Sequence, residues 1–497
     1  MAFQQAVGGR QRADACLALV KAKEEPQLTS NRYKISQRLG LSLVTAMFLT
    51  LVAEPSARAQ EQTSQSPDLQ QMQKKMEQLE KELLELKQQM NAVAGLSKQA
   101  VPGPSIPVTT DTRQAEEHAE QPKPSSSINF YGYAMADSGF NFGSINPDWF
   151  DVERPTQLPS FKGEFGPDGS TFFGVRQTRF GVKSFTPTPV GDLKTIFEFE
   201  LFGTGVDAGQ TTFRLRHAWG ELGHFGGGQT WSPFMDIDVF PNSLEYWGPN
   251  GMVFFRNVQV RWTPIQGASN VVIALERPGA SADGGRYADR IDLQNIFPQF
   301  KWPDLSGHAR LARSWGYVQV AGIVRKIAWV DTNPDLPNLS GTAIGWGVNV
   351  TSNLNFTKKD VGRFEVVYGE GIENYMNDAP VDIGVKNTFS NPASPIKGVA
   401  LPVLGVVSFL DHTWSDRFST SIGYSMLNIE NSNAMTANSF HQGHYALVNL
   451  LYHPVKPVTM GGEFQWGRRI NFADGFNVND YKMQFSFRYD WSKSFEF

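Results

Sequence analysis

Arg214 and Arg216 stand two residues apart in the run Phe213-Arg214-Leu215-Arg216. If that run is extended, Phe213 and Leu215 share one face and both guanidiniums share the other. A guanidinium stays charged at neutral pH and grips a carboxylate through two parallel hydrogen bonds, so a ladder of them is equipped to hold anions. The same parity puts Arg179, Lys183, Arg261, Arg325, Arg363 and one of the pair Arg468-Arg469, taken here as Arg468, on the polar side of otherwise apolar runs. Acids accompany them. Glu198 and Glu200 alternate through residues 193–201, and Asp236 and Asp238 fall in the aromatic stretch SPFMDIDVFPNSLEYWGPNGM. Two readings compete: a path that attracts anions, or ion pairs that merely brace a wall.

Other chemistry finds little support. The chain has no G-x-S-x-G, no H-E-x-x-H, no phosphate-binding glycine loop and no cysteine cluster, so it is read as a non-enzyme without cofactor. His217 and His224 lack a third ligand nearby, and no metal site is expected. Gly226-Gly227-Gly228 suits a tight turn and close strand packing. The one cysteine, Cys16, precedes an expected cleavage site. A net charge of -4 over 497 residues gives no footprint for nucleic acid.

Several kinds of element must position these side chains. Residues 39–53 are uncharged, follow Arg32, Lys34 and Arg38, and precede Ala57-Arg58-Ala59. That is the layout of a secretory signal peptide, too short for a spanning helix of about 20 residues, with cleavage expected after Ala59. Residues 1–59 are thus a signal peptide with an N-terminal extension. Over 60–94, Leu69, Met72, Met76, Leu79, Leu83, Leu86, Met90 and Val93 keep a heptad repeat. Lys75 with Glu80, and Glu82 with Lys87, are spaced to pair between helices, so a periplasmic coiled coil is expected. Residues 95–127 are rich in Pro, Ser and charge and read as a linker.

From residue 128 to Phe497 the period becomes two. Met483, Phe485, Phe487, Tyr489 and Trp491 alternate with Gln484, Ser486, Arg488 and Asp490. With 46 Gly, 36 Phe, 12 Trp and 13 Tyr beside a mean hydropathy of -0.32, greasy and wet residues are interleaved, not segregated. No later run reaches the roughly 18 apolar residues of a helical span, so a membrane form must be a closed barrel. Sixteen strands are expected, near 128–137, 173–184, 193–202, 212–222, 226–231, 253–263, 270–277, 307–313, 316–330, 342–355, 362–371, 399–412, 417–428, 442–453, 458–470 and 481–495. Connections alternate short (PTPVGD, TPIQGAS, SWG, HPVKP) and long, the asymmetry of periplasmic turns and external loops. Sixteen strands enclose an aqueous lumen. Trp262, Trp329, Trp414 and Trp491 are expected in aromatic girdles. The aromatic loop 232–252 would be costly on an open surface. It either folds into the lumen, setting its acids against the arginines, or latches a neighbouring subunit.

The stretch FRLRHAWGELGHFGGGQTWSPFMDIDVFPNSLEYWGPNGM, the preceding VRQTRFGVK and the N-terminal heptads together resemble the DcaP-like family of outer-membrane porins. The resemblance covers nearly all of the mature chain. It implies a homotrimer of sixteen-stranded barrels with a periplasmic coiled coil, admitting small anionic solutes such as dicarboxylates by passive diffusion. Arg179, Arg214, Arg216 and the loop around Asp236 are the matching positions; external loops 331–341 and 373–398 do not match. The aromatic C-terminus at Phe497 resembles the signal that barrel-assembly machinery reads. Outer-membrane lipid, that machinery and small anions are therefore the expected partners. The competing expectation is a structural anchor whose coiled coil organises the periplasm.

Overall fold

A computed structural model describes residues 125–333 and 337–497. The expected signal peptide, the coiled coil 60–94 and the linker up to residue 124 lie outside the described residues. Strands form where the two-residue alternation runs, because only an extended chain gives Phe213, Leu215 and their like one face and the arginines another. In order they are β1 (Ser127–Asn141), β2 (Ser170–Gly174), β3 (Arg179–Thr188), β4 (Gly191–Phe202), β5 (Thr211–Leu222), β6 (Phe225–Trp231) and β7 (Arg256–Ile265). Then follow β8 (Asn270–Glu276), β9 (Ile296–Pro298), β10 (Asp304–Arg313), β11 (Gly316–Asp331), β12 (Gly341–Asn355) and β13 (Asp360–Glu370). The last are β14 (Ile383–Asn387), β15 (Ile396–Ala400), β16 (Pro402–Ser415), β17 (Phe418–Ile429), β18 (Phe440–Tyr452), β19 (Val458–Asn471) and β20 (Asn477–Glu496).

Every pairing between these strands is antiparallel, and β20 returns to β1 in register from Ser127↔Glu496 to Asn141↔Lys482, so the wall closes on itself. β2 and β3 both pair with β1 and together make one wall strand, interrupted at 175–178. β9 only extends the end of β11, and β14 with β15 forms a hairpin within the connection 371–401. Among the described residues the wall therefore has sixteen strand positions, each overlapping one expected from the sequence. The short and long connections alternate around it.

Burial is reversed relative to a soluble protein. Outward-facing Phe213 is 75% exposed and Val260 61%, while inward Glu200, Glu365 and Gln484 are fully buried. Such a surface suits lipid, since apolar side chains there lose nothing by facing hydrocarbon. Trp262 and Trp414 stand exposed on the outside as expected for girdles. Trp329 does not: it packs on Gly341 and Gly398, and its indole N–H donates to the Leu339 carbonyl at 2.9 Å. Gly341 of β12 and Gly398 of β15 make room for that ring.

Candidate functional site

The connection 232–255 between β6 and β7 lies inside the wall, against inward side chains from most of the barrel's circumference. It has almost no strand partners, so its backbone groups must be satisfied otherwise. Wall side chains do this. Glu463 accepts the Leu244 and Glu245 N–H groups at 2.7 and 3.0 Å, and Glu365 accepts that of Val253 at 2.8 Å. Asn349 and Asn353 donate to the Phe234 and Asp238 carbonyls, and Asn449 donates to that of Asn242. The approach is close enough to require glycine: a Cβ on Gly405 of β16 would stand 2.1 Å from the Gly251 carbonyl oxygen. The loop folds into its own lumen and is not spare surface for latching a neighbour.

Two arginine groups flank it. In the first, a bulge in β5 skips Arg216, so that Glu198 pairs with His217 while Phe199 pairs with Leu215. Bulges re-aim side chains, and here Arg216 and His217 both reach the interior, each buried. Arg216 donates to Glu198 at 2.6 Å and to Glu200 at 2.7 Å. Arg214 Nε donates to Glu200 at 2.8 Å, and Arg179 lies 3.7 and 3.5 Å from Glu198 and Glu200. Arg256, 3.8 Å from Glu200, completes the group. Tyr246 of the inserted loop bonds through its hydroxyl to Glu200, Arg214 and Arg216. Four guanidiniums thus share two carboxylates. Arg179 Nε and Arg256 Nη1 find no hydrogen-bond partner among the described residues, leaving donors unused.

In the second group Arg310 spans Asp236 at 2.6 Å and Asp238 at 2.5 Å, and Asp236 also accepts from Tyr317 and Thr351. Arg363 bonds Asp411 at 2.6 Å and the Asp238 carbonyl. Asp238 retains partial exposure beside the exposed Asn242. Elsewhere Lys183 is exposed and lies over the Tyr131 ring, and Arg261 rests on Trp219 while donating to the Trp231 carbonyl.

Three positions require correction as pore-lining residues. Arg468 faces outward, in phase with exposed Phe464 and bonded to Asn477; its neighbour Arg469 is the inward one, held by the Thr156, Leu158 and Asn438 carbonyls. The parity at that pair is set by Glu463, Gln465 and Gly467, which face in. Arg325 does point inward, but only 1% of it is exposed. It pairs with Asp304 at 2.9 Å and Asp382 at 2.8 Å, so it anchors the connection 371–401 instead of meeting solute. Asp236, buried by the bonds above, holds the loop in the same way.

Arg310, Arg256, Arg154 and Arg176 were not singled out from sequence. Arg310 was legible, since Leu305, Ala309 and Leu311 set its phase. Arg154 and Arg176 lie in irregular segments with no period to read. Arg154 is sandwiched between Trp149 and Trp247 at 4.1 and 4.2 Å and pairs with Asp378, while Arg176 pairs with Asp151. Arg154 thereby ties the connection 142–169 to the connection 371–401 and, through Trp247, to the inserted loop, while Arg176 ties it to the wall. Glu245 also ties the connection 142–169 to the inserted loop, accepting the N–H groups of Glu153 and Gly248. Burial pushes its carboxyl up to about 7, against the lowering influence of Lys482. No group of His, Cys, Asp or Glu among the described residues is arranged to hold a metal ion.

The DcaP outer membrane protein family matches residues 56–490 of the chain. The outer membrane channel DcaP of Acinetobacter baumannii superposes with a TM-score of 0.61 at 19% identity, over 75% of this chain and 99% of that one. An anion-selective porin from Comamonas acidovorans gives 0.46 at 10% identity, over 74% and 100%. OmpT of Vibrio cholerae in its trimer form gives 0.45 at 13%, over 74% and 100%. No curated protein matches.

Proposed function

Because the chain belongs to the DcaP outer membrane protein family, we propose that it is a passive channel, working as a homotrimer, whose narrowed lumen favours small anions of the dicarboxylate type. The observation that carries this reading is the imbalance at Glu198 and Glu200: four arginines stand against two acids, and two of the four remain partly exposed. A guanidinium in a confined, partly dehydrated space attracts an anion more strongly than in water, and a second carboxylate doubles the attraction. Arg179 and Arg214, with side chains 19% and 18% exposed, are the members that solute can reach. Lys183, Arg261, Arg310 and Arg363 extend the basic path along the wall. The partly exposed Asp238 of the inserted loop opposes Lys183, Arg261 and Arg363 and gives the narrow part a transverse field that orients dipolar solutes. The bracing function of the ion pairs is compatible with this, because the buried Arg216 serves it while Arg179 and Arg214 stay partly exposed.

The test is current through single channels in planar bilayers with added solute. A four-carbon dicarboxylate should produce concentration-dependent current interruptions, and its uncharged diamide should produce none. Equal effects from the two, or no effect from either, would contradict the proposal.

A further inference from the structure

Arg325 and Lys326 are neighbours on β11, yet only one is paired. Arg325 turns inward to two carboxylates; Lys326 turns outward and is exposed. Arg277, directly after β8, and Lys301, just before β10, are exposed as well. No carboxylate among the described residues forms an ion pair with any of these three. β8, β10 and β11 are adjacent in the wall, and Leu275, Leu305 and Val324 stand opposite one another in register, 46%, 48% and 54% exposed on the outer face. Arg277 and Lys326 each lie two residues beyond that row, in the same phase. They are therefore at one height, about 10 Å apart by the usual strand spacing. Register puts Pro303 level with them, and Trp302, 62% exposed, and Lys301 directly precede it in the chain.

The outer positions of β8, β10 and β11 below the patch are apolar: Ile273, Leu275, Leu305, Val320 and Val324 are exposed there. The patch lies at the end of the barrel that carries the long connections. In an outer-membrane barrel that end meets the outer leaflet. Cations with an aromatic neighbour at the rim, above an apolar row that faces hydrocarbon, match an amphiphile with an anionic head and acyl chains. We propose that Arg277, Lys301 and Lys326 form a site for the phosphate of a phosphorylated glycolipid in the outer leaflet, with its acyl chains along Leu275, Leu305 and Val324. Guanidinium and ammonium groups bind phosphate through charge-assisted hydrogen bonds, and basic groups near a membrane surface each add materially to headgroup affinity. This inference rests on the outer-membrane placement and is independent of the solute reading.

The experiment measures binding of bisphosphorylated lipid A to the full-length purified protein in detergent, beside the same lipid with its phosphates removed. Wild type should bind the phosphorylated lipid, and Arg277→Ala with Lys326→Ala should weaken it roughly thirtyfold. The dephosphorylated lipid should bind wild type no better than the phosphorylated lipid binds the variant. The milder Arg277→Gln with Lys326→Gln serves if the alanine pair folds poorly. Reversal potential in a salt gradient should be unchanged in either pair, so failure here differs from failure of the channel reading. Equal binding of the two lipids, or unchanged binding by the variants, would overturn the site. So would loss of oligomers in the variants, which would assign the patch to a second copy of this chain.

Discussion

At the scale of single residues, the lumen works by unequal pairing. Glu200 is fully buried and meets Arg179, Arg214, Arg216 and Arg256 together. Removing one partner from a buried ion pair typically costs about 3–5 kcal/mol, because a bare charge is left behind. Glu200 is thus the anchor that makes so many guanidiniums tolerable, and the excess of cations around it is a consequence. Glu245 shows the opposite balance. Its carboxyl, pushed up to about 7 by burial, binds a proton more tightly in the folded protein than in the unfolded chain, where the ordinary value is 4.5. Its contribution is therefore fully favourable below the unfolded value and is lost as pH rises from there toward 7. Thermal unfolding should occur at a higher midpoint at pH 5 than at pH 8, and Glu245→Gln should flatten the difference. An identical slope in wild type and variant would contradict this assignment.

At the scale of elements, the inserted loop depends on Asp236, which takes bonds from Arg310, Tyr317 and Thr351 at once. Asp236→Ala should loosen the loop without disturbing the wall, raising single-channel conductance and the frequency of substates. Unchanged conductance would mean that the loop does not limit flow. The wall was legible in the sequence because alternation such as Phe485-Ser486-Phe487-Arg488 is fixed by the pleat. The inward places of Arg214, Arg216, Arg261 and Arg363 followed from the same parity. Arg468 was misplaced because two adjacent arginines leave parity undecided without the phase of Glu463 and Gln465. The bulge at Arg216 and the sealing of Arg325 by Asp382 depend on contacts between distant segments, which no local period records. The same is true of the β14–β15 hairpin and of the loop's seat in the lumen.

At the scale of the whole molecule, Phe, Val and Leu face outward from the wall, while the interior combines buried polar residues with an apolar seat for the inserted loop around Phe234, Met235 and Val253. The chain closes through β1 and β20, and the Phe497 N–H donates to the Ser126 carbonyl at 2.9 Å, so the last residue completes the ring. The heptads of residues 60–94 are expected from the sequence to hold three such barrels together. A chain lacking residues 60–127 should lose trimers in mild detergent; retention of trimers would give that role to the barrel walls alone. The central claim is that the unmatched arginines at Glu198 and Glu200 make the channel prefer anions. The most direct test is the reversal potential in a planar bilayer under a potassium chloride gradient, for wild type and for Arg179→Ala with Arg214→Ala. The wild type should reverse toward the chloride equilibrium potential, and the double variant should shift toward zero or beyond. A wild type that prefers potassium, with no change in the variant, would contradict the account.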